Sequence, residues 1–250
     1  MRAVVRVGTA EAPDGGLVAF RVEGEGGRAL AACGGMGIPH PFWRALAAEV
    51  SGRGDSFVTW DYRGQGRSAA ARHPESMTVA SCAGDLWTVL DAVPAHRAVL
   101  LGHSIGAHVI VDAYRQEPER VLGLVPVLGE APGALEPLLR VLVEVAAANP
   151  EPARRALRAA LLAPGACEAM RALGILPKDA GGDRQSYLQR LSRLDLRGWF
   201  ALARDLLSRD ATPLLSDVRV PVLRLDAAQL EQPELIALKL EKFLEEVEPT

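Results

Sequence analysis

A serine between two glycines, where an apolar strand pattern changes to a helical one, constrains this chain more than any other feature. The segment Gly102-His103-Ser104-Ile105-Gly106 fits the pattern G-x-S-x-G. It follows the apolar run 98–101 and precedes residues 105–116, whose apolar side chains recur at helical spacing. On such a turn the serine adopts an unfavourable backbone conformation with its hydroxyl exposed, and the glycines allow strand and helix to approach. We therefore predict that Ser104 is a nucleophile.

The surrounding segment alternates between strand and helix patterns. Residues 56–60 and 98–101 are short apolar runs, typical of parallel strands buried on both faces. Helical spacing occurs at 77–92, and 121–125 forms another strand pattern, whose pairing Pro126 should end. This alternation predicts an α/β fold with a mostly parallel, doubly wound sheet.

Both ends of the chain add elements to this sheet. Three runs separated by turn compositions, 3–7, 17–22 and 29–33, predict an antiparallel start. Residues 218–225 predict one more strand, and 233–247 a closing helix with a single apolar stripe.

Between these parts, residues 131–211 are rich in leucine and alanine and contain no strand pattern. The insertion follows the C-terminal end of a strand, where ligands of α/β proteins bind. We therefore predict an α/β core of 1–130 and 212–250 and a helical cap, or lid, of 131–211. The alternative is that these helices cover one face of the sheet.

A glycine-rich loop follows the strand pattern 29–33, with the sequence Gly34-Gly35-Met36-Gly37. Backbone N–H groups from such a loop, together with the N–H of the residue after a nucleophile, form an oxyanion hole. We assign these donors to Met36 and Ile105. The alternative is a plain glycine turn.

Composition narrows the partners and the compartment. The 28 basic and 31 acidic residues give a net charge of −3, which argues against binding nucleic acid or an anionic membrane. Three cysteines suggest neither a disulfide framework nor a zinc site. No apolar run approaches the roughly 18 residues of a membrane span. We predict a cytoplasmic protein with a small-molecule substrate and no cofactor or metal.

Three motifs, GGMGIPHPFW, WDYRGQGRS and GHSIG, occur in the order typical of one family. In them the chain resembles the α/β-hydrolase superfamily, most closely its small cofactor-independent esterases, lactonases and haloperoxidase-like members. The resemblance covers about 29–129, 218–225 and 230–245, and implies a serine hydrolase of small esters or lactones. Gly34-Gly35 stands where the family usually has histidine-glycine. We expect Asp61 and Arg63 of the second motif to hold their loop rather than to react.

The C-terminal part departs from the family order of serine, acid and histidine. No histidine follows His108, and only 24 residues follow Asp226. A strand–helix–strand unit takes about 30 residues, so the last strand or strands should be absent. The strand 218–225 would then be an edge, which favours pairing with a second copy as a homodimer.

The missing histidine leaves the base and the acid open. His40, near the glycine loop, is a candidate substitute base, and Glu130 or Asp226 a candidate acid. We expect the other histidines to lie elsewhere: His73 in a solvated loop, His96 at the far end of its strand, His103 turned away from Ser104 and His108 packed under the helix. The alternative function is a catalytically impaired hydrolase-fold protein, either a binding protein or an internal-deletion variant.

Overall fold

The computed structural model describes residues 4–26, 28–35, 40–128, 136–165, 194–209, 214–226 and 232–247. The strands are β1 Val5–Glu11, β2 Leu17–Glu23, β3 Ala29–Cys33, β4 Ser56–Trp60, β5 Ala98–His103, β6 Val121–Leu128 and β7 Leu225–Asp226. The helices are α1 His40–Gly52, α2 Val79–Asp91, α3 Ile105–Gln116, α4 Glu136–Ala148, α5 Pro150–Leu162, α6 Leu196–Ser208 and α7 Pro233–Glu246, with short 3₁₀ turns at Pro74–Ser76 and Pro118–Arg120.

The seven strands form one sheet in the order β1-β2-β4-β3-β5-β6-β7. β1 pairs antiparallel with β2, and β2 antiparallel with β4. From β4 through β3, β5 and β6 to β7 every pairing is parallel. This confirms the mostly parallel α/β sheet with an antiparallel start.

The central strands are buried on both faces. Every residue of β3 is buried, as are Ala98, Val99, Leu100 and Leu101 of β5. Successive side chains of a strand point to opposite faces of the sheet, so their burial requires that both faces be covered. α1 packs with α7, and α2 packs with α3, as two separate helix layers.

The closing helix α7 lies where the apolar stripe predicted it. Its stripe of Ile236, Leu240, Phe243 and Leu244 is buried. The Phe243 ring lies against Gly123 of β6, and the Arg28 guanidinium donates to the Leu244 carbonyl. α7 therefore packs against one face of the sheet.

Two strand predictions need correction. The strand predicted at 218–225 is much shorter, because β7 comprises only Leu225–Asp226, preceded by an isolated bridge between Leu124 and Val222. The bridge itself is complete, since Leu124 N–H donates to the Pro221 carbonyl and Leu223 N–H donates to the Leu124 carbonyl, each at 3.0 Å. The next donor of β6 toward this strand would be Pro126, which has no N–H. Conversely, β6 does not stop at Pro126, since Val127 still pairs with β5. The Val127 carbonyl accepts from Ser104 N–H, so the pairing of β6 with β5 does not need an N–H on Pro126.

β7 lies at the outer end of the described sheet order, which agrees with the expectation that this strand is an edge. A homodimer through that edge stays a prediction. Among the described residues, no helix is both long enough and apolar enough to cross a membrane.

Three helices, α4, α5 and α6, fall in the span predicted as a cap. α6 packs against the core, where its Trp199 and Leu202 side chains are buried. The Asp205 carboxylate of α6 accepts from Val79 N–H at the start of α2. Arg209 adds two hydrogen bonds to Asp112 of α3. The division into core and cap stays a prediction.

Candidate active site

Ser104 occupies the turn between β5 and α3 with a strained backbone. Its φ is 57° and its ψ is −122°, and no other non-glycine residue in the described ranges has a positive φ. The side chain is exposed and does not cap α3. Such conformations cost on the order of 1–3 kcal/mol and are found chiefly at functional sites. The structure thus places the serine as the sequence motif predicts.

The flanking glycines are required by close backbone contacts. A Cβ on Gly106 would lie 2.1 Å from the Cys33 carbonyl oxygen, and one on Gly102 would lie 2.3 Å from the Gly106 carbonyl oxygen. α3 therefore approaches β3 and β5 more closely than any side chain would allow. This contact fixes the turn that presents Ser104.

The N-terminus of α3 directly follows the serine. Ile105 is the first residue of α3, and the first N–H groups of a helix have no intrahelical acceptor. They also carry the positive end of the helix dipole. The Ile105 N–H thus lies directly after Ser104 without an intrahelical acceptor, and its role as an oxyanion donor stays a prediction. Met36, the other assigned donor, lies outside the described residues.

The start of the glycine-rich loop is held by a buried tyrosine that the sequence analysis did not single out. Tyr62 donates its phenolic O–H to the Gly34 carbonyl at 2.9 Å. Its ring lies between Trp60 and Trp199, with centroid distances of 4.4 and 5.6 Å. Burial raises the pKa of Tyr62 well above its usual value, so the phenol stays a donor. Its position in the WDYRGQGRS motif was the only signal in the sequence.

Asp61 and Arg63 hold the loop after β4, as expected. The Asp61 carboxylate accepts from Arg67 N–H at 3.0 Å. Arg63 pairs with Asp85 of α2 and with Asp14 in the β1–β2 turn, each at 2.7 Å. The loop that carries Tyr62 is thereby tied to two other elements.

Four histidine rings are described, and none hydrogen-bonds to the Ser104 hydroxyl. Burial lowers the pKa of His103 to about 4, which keeps it neutral at physiological pH. Burial, and then Arg209, lower the pKa of His108. His96 precedes β5, at the opposite end of the sheet, and His73 is exposed beside Glu75. The backbone of His40 begins α1, but its side chain lies outside the described residues.

Asp226 lies at the same end of the parallel strands as Ser104, which is their C-terminal end. It ends β7 opposite Leu128, while His103 pairs with Val127. Asp226 is therefore level with Ser104 two strands away, or about 10 Å across the sheet. Glu130, the other candidate acid, lies outside the described residues.

Known proteins are similar in sequence to part of this chain. The family model described as "alpha/beta hydrolase fold" matches residues 31–167. The RutD protein of Variovorax paradoxus (strain S110), provisionally named a carbamate hydrolase, is 34% identical over 99 residues, which are 40% of this chain and 37% of that protein. Epoxide hydrolase B of Mycobacterium tuberculosis (strain ATCC 25618 / H37Rv) is 34% identical over 83 residues, 33% of this chain and 23% of that protein. The matched part thus spans well under half of either relative.

Solved structures resemble the chain over nearly its whole length. An esterase from Exiguobacterium antarcticum superposes with a TM-score of 0.68 at 15% identity, covering 95% of this chain and 98% of its own. The enol-lactonase from Burkholderia xenovorans LB400 gives a TM-score of 0.69 at 17% identity, covering 95% and 99%. At these identities the likeness is one of fold.

Proposed function

The chain belongs to the α/β-hydrolase fold family, and from this we propose that it is a serine hydrolase of small esters or lactones. Ser104 attacks the carbonyl carbon, and the N–H groups of Met36 and Ile105 stabilise the oxyanion that forms. The observation that carries the proposal is the exposed Ser104 with φ 57° at the N-terminus of α3. An oxyanion donor of this kind is worth about 10²–10³ in rate.

Ester and lactone carbonyls suit the groups around Ser104. Attack of the serine oxygen on an ester or lactone carbonyl gives a tetrahedral adduct, and backbone N–H donors stabilise the oxyanion of that adduct. Displacement of a halide would instead need a carboxylate where Ser104 stands. The esterase and the enol-lactonase that share this fold support the same substrate class by analogy.

The proposed base is His40, because a serine hydroxyl is a weak nucleophile without one. α1 begins at His40, after the loop that leaves the C-terminal end of β3. β3 neighbours β5, and Cys33 pairs with Gly102. This loop and Ser104 therefore both lie at the C-terminal end of the parallel strands. Asp226 is the proposed acid among the described residues, and Glu130 is the alternative.

A second candidate function is ligand binding without turnover. The four described histidine rings leave the Ser104 hydroxyl without a base. Loss of the base leaves only the residual catalysis of an oxyanion hole, about 10³–10⁴ over water. A protein of this kind would hold a carbonyl compound at the Ser104 turn without cleaving it.

Hydrolysis of p-nitrophenyl acetate separates these functions. We expect Ser104→Ala to lower turnover by about tenfold or more, because it removes the attacking oxygen. Ser76→Ala, at an exposed serine of the loop before α2, is the matched control and should keep the wild-type rate. Equal rates for wild type and Ser104→Ala would reject the hydrolase proposal. A Ser104-dependent rate that survives His40→Ala would exclude His40 as the base.

Tyr62→Phe should affect both stability and turnover. Removing the hydroxyl leaves the buried Gly34 carbonyl without its donor, which costs about 1–3 kcal/mol of unfolding free energy. We also expect kcat to fall while KM changes little, because oxyanion contacts strengthen in the transition state.

Tyr114→Phe is the control for this prediction. Its hydroxyl accepts from Arg219 N–H at 3.2 Å, remote from the glycine loop. It should lose stability but keep kcat. An unchanged kcat in Tyr62→Phe, or an equal fall in both variants, would show that Tyr62 does not position the oxyanion loop.

A further inference from the structure

A cavity of about 300 Å³ lies at the end of the sheet opposite Ser104. Its walls include Ala29 and Ser56, the first residues of β3 and β4, and the segment from Val93 to Arg97 that joins α2 to β5. β5 rises about 3.3 Å per residue, which puts this cavity about 20 Å from the Ser104 turn. The proposed hydrolase site does not use it.

Two arginines bring positive charge to this cavity. Arg6 and Arg97 line it, together with His96, and Glu25 is the one acidic residue in its described lining. The Nε of Arg97 is fully buried and has no hydrogen-bond partner within the described structure. Because it is buried, this Nε cannot be reached from the cavity, so only the two terminal nitrogens of the Arg97 guanidinium can donate to a ligand there.

The rest of the wall is largely apolar. Arg6 pairs with Val22 across β1 and β2, and Val22 pairs with Val58 across β2 and β4. Paired residues of neighbouring strands point to the same face, so Arg6 stands at the end of a row of valines. Val93 and Pro94 also line the cavity. A hydrated inorganic anion would pair with the arginines but would leave the apolar side chains of the cavity in contact with water.

We propose that this cavity binds a small organic carboxylate with a hydrocarbon body. The carboxylate accepts two hydrogen bonds from the terminal nitrogens of the Arg97 guanidinium, in the paired geometry that a guanidinium offers a carboxylate. Arg6 contributes charge from the rim. The hydrocarbon body lies on Val22 and Val58, and the volume, at the lower end of ligand pockets, suits a single ring or a short chain.

Calorimetric titration with benzoate, alongside neutral benzamide, tests this proposal. We expect wild type to bind one benzoate with a Kd on the order of 1 mM or tighter, and benzamide at least about tenfold more weakly. Arg97→Gln should weaken benzoate binding at least about tenfold. Arg158→Gln, at an exposed arginine of α5, is the matched control and should bind as wild type does.

Further variants separate this cavity from the Ser104 site and from misfolding. Ser104→Ala should keep benzoate binding, so failure of the hydrolase proposal would not affect this result. Arg6→Gln changes an exposed residue, should fold normally and should weaken binding about two- to fivefold. Absence of benzoate binding, equal binding of benzamide, or loss of binding in Ser104→Ala would each overturn the proposal. So would wild-type affinity in Arg97→Gln or, if that variant does not fold, in Arg6→Gln.

Discussion

Replacing Gly106 with alanine is expected to lower the free energy of unfolding by about 3 kcal/mol or more. The added methyl would lie 2.1 Å from the Cys33 carbonyl oxygen and 3.0 Å from that of Gly34. Overpacking usually costs about 1–3 kcal/mol when side chains can yield, but here the backbone of β3 or α3 has to move. Urea denaturation followed by circular dichroism would measure the loss.

Gly84→Ala is the matched control for this variant. Gly84 lies within α2, and a Cβ there would meet nothing within 4 Å. Alanine should therefore stabilise the helix by up to about 1 kcal/mol. A Gly106→Ala protein as stable as wild type would contradict the close contact between α3 and β3, and with it the account of the Ser104 turn.

Replacing Arg63 with methionine should be equally damaging near neutral pH. Arg63 is the cation between Asp85 and Asp14, at 2.7 Å from each, and Asp85 is only 1% exposed. Removing one partner of a buried ion pair leaves an uncompensated charge and typically costs about 3–5 kcal/mol. Because the same loop carries Tyr62, the variant should also loosen the glycine-rich loop. Urea denaturation at pH 8 would measure the full loss.

The loss in Arg63→Met should depend on pH. Burial raises the pKa of Asp85 to about 6, although Arg63 acts to lower it. The folded pKa thus exceeds the unfolded value of about 4, and the folded state binds the proton more tightly. The contribution of Asp85 to stability is therefore fully present below pH 4 and is lost as the pH rises through the folded pKa. Without Arg63 that pKa rises further, so the deficit should be smaller at pH 5 than at pH 8.

Asp85→Asn on the Arg63→Met background is the control for this pH dependence. It removes the titrating carboxyl, so the difference between pH 5 and pH 8 should largely disappear. An Arg63→Met deficit of the same size at both pH values would show that Asp85 is not the group responsible.

The Ser104 turn was predictable because its determinants are local. Glycines on both sides of the serine, an apolar run before it and helical spacing after it lie within about 20 residues. The parallel sheet followed from the same kind of pattern, since strands buried on both faces are continuously apolar. In both cases neighbouring residues in sequence carry the constraint.

The features that the sequence did not predict depend on distant residues. β7 shrinks to Leu225–Asp226 because Pro126 of β6 has no N–H to donate to Leu223, between the Leu124–Val222 bridge and the Val127–Leu225 pair. β6 continues past Pro126 because Ser104, from another strand's end, supplies the hydrogen bond there. The contact of Tyr62 with Gly34 joins residues 28 positions apart, and no local pattern marks such a pair.

Labelling with a fluorophosphonate, followed by peptide mass mapping, tests the role of Ser104 most directly. The reagent forms a stable adduct with a serine that is activated and exposed beside oxyanion donors. We expect one adduct on wild type, in the peptide that contains Ser104, and none on Ser104→Ala. A folded wild-type protein that stays unlabelled, or that carries its adduct on another residue, would show that Ser104 is not an activated nucleophile.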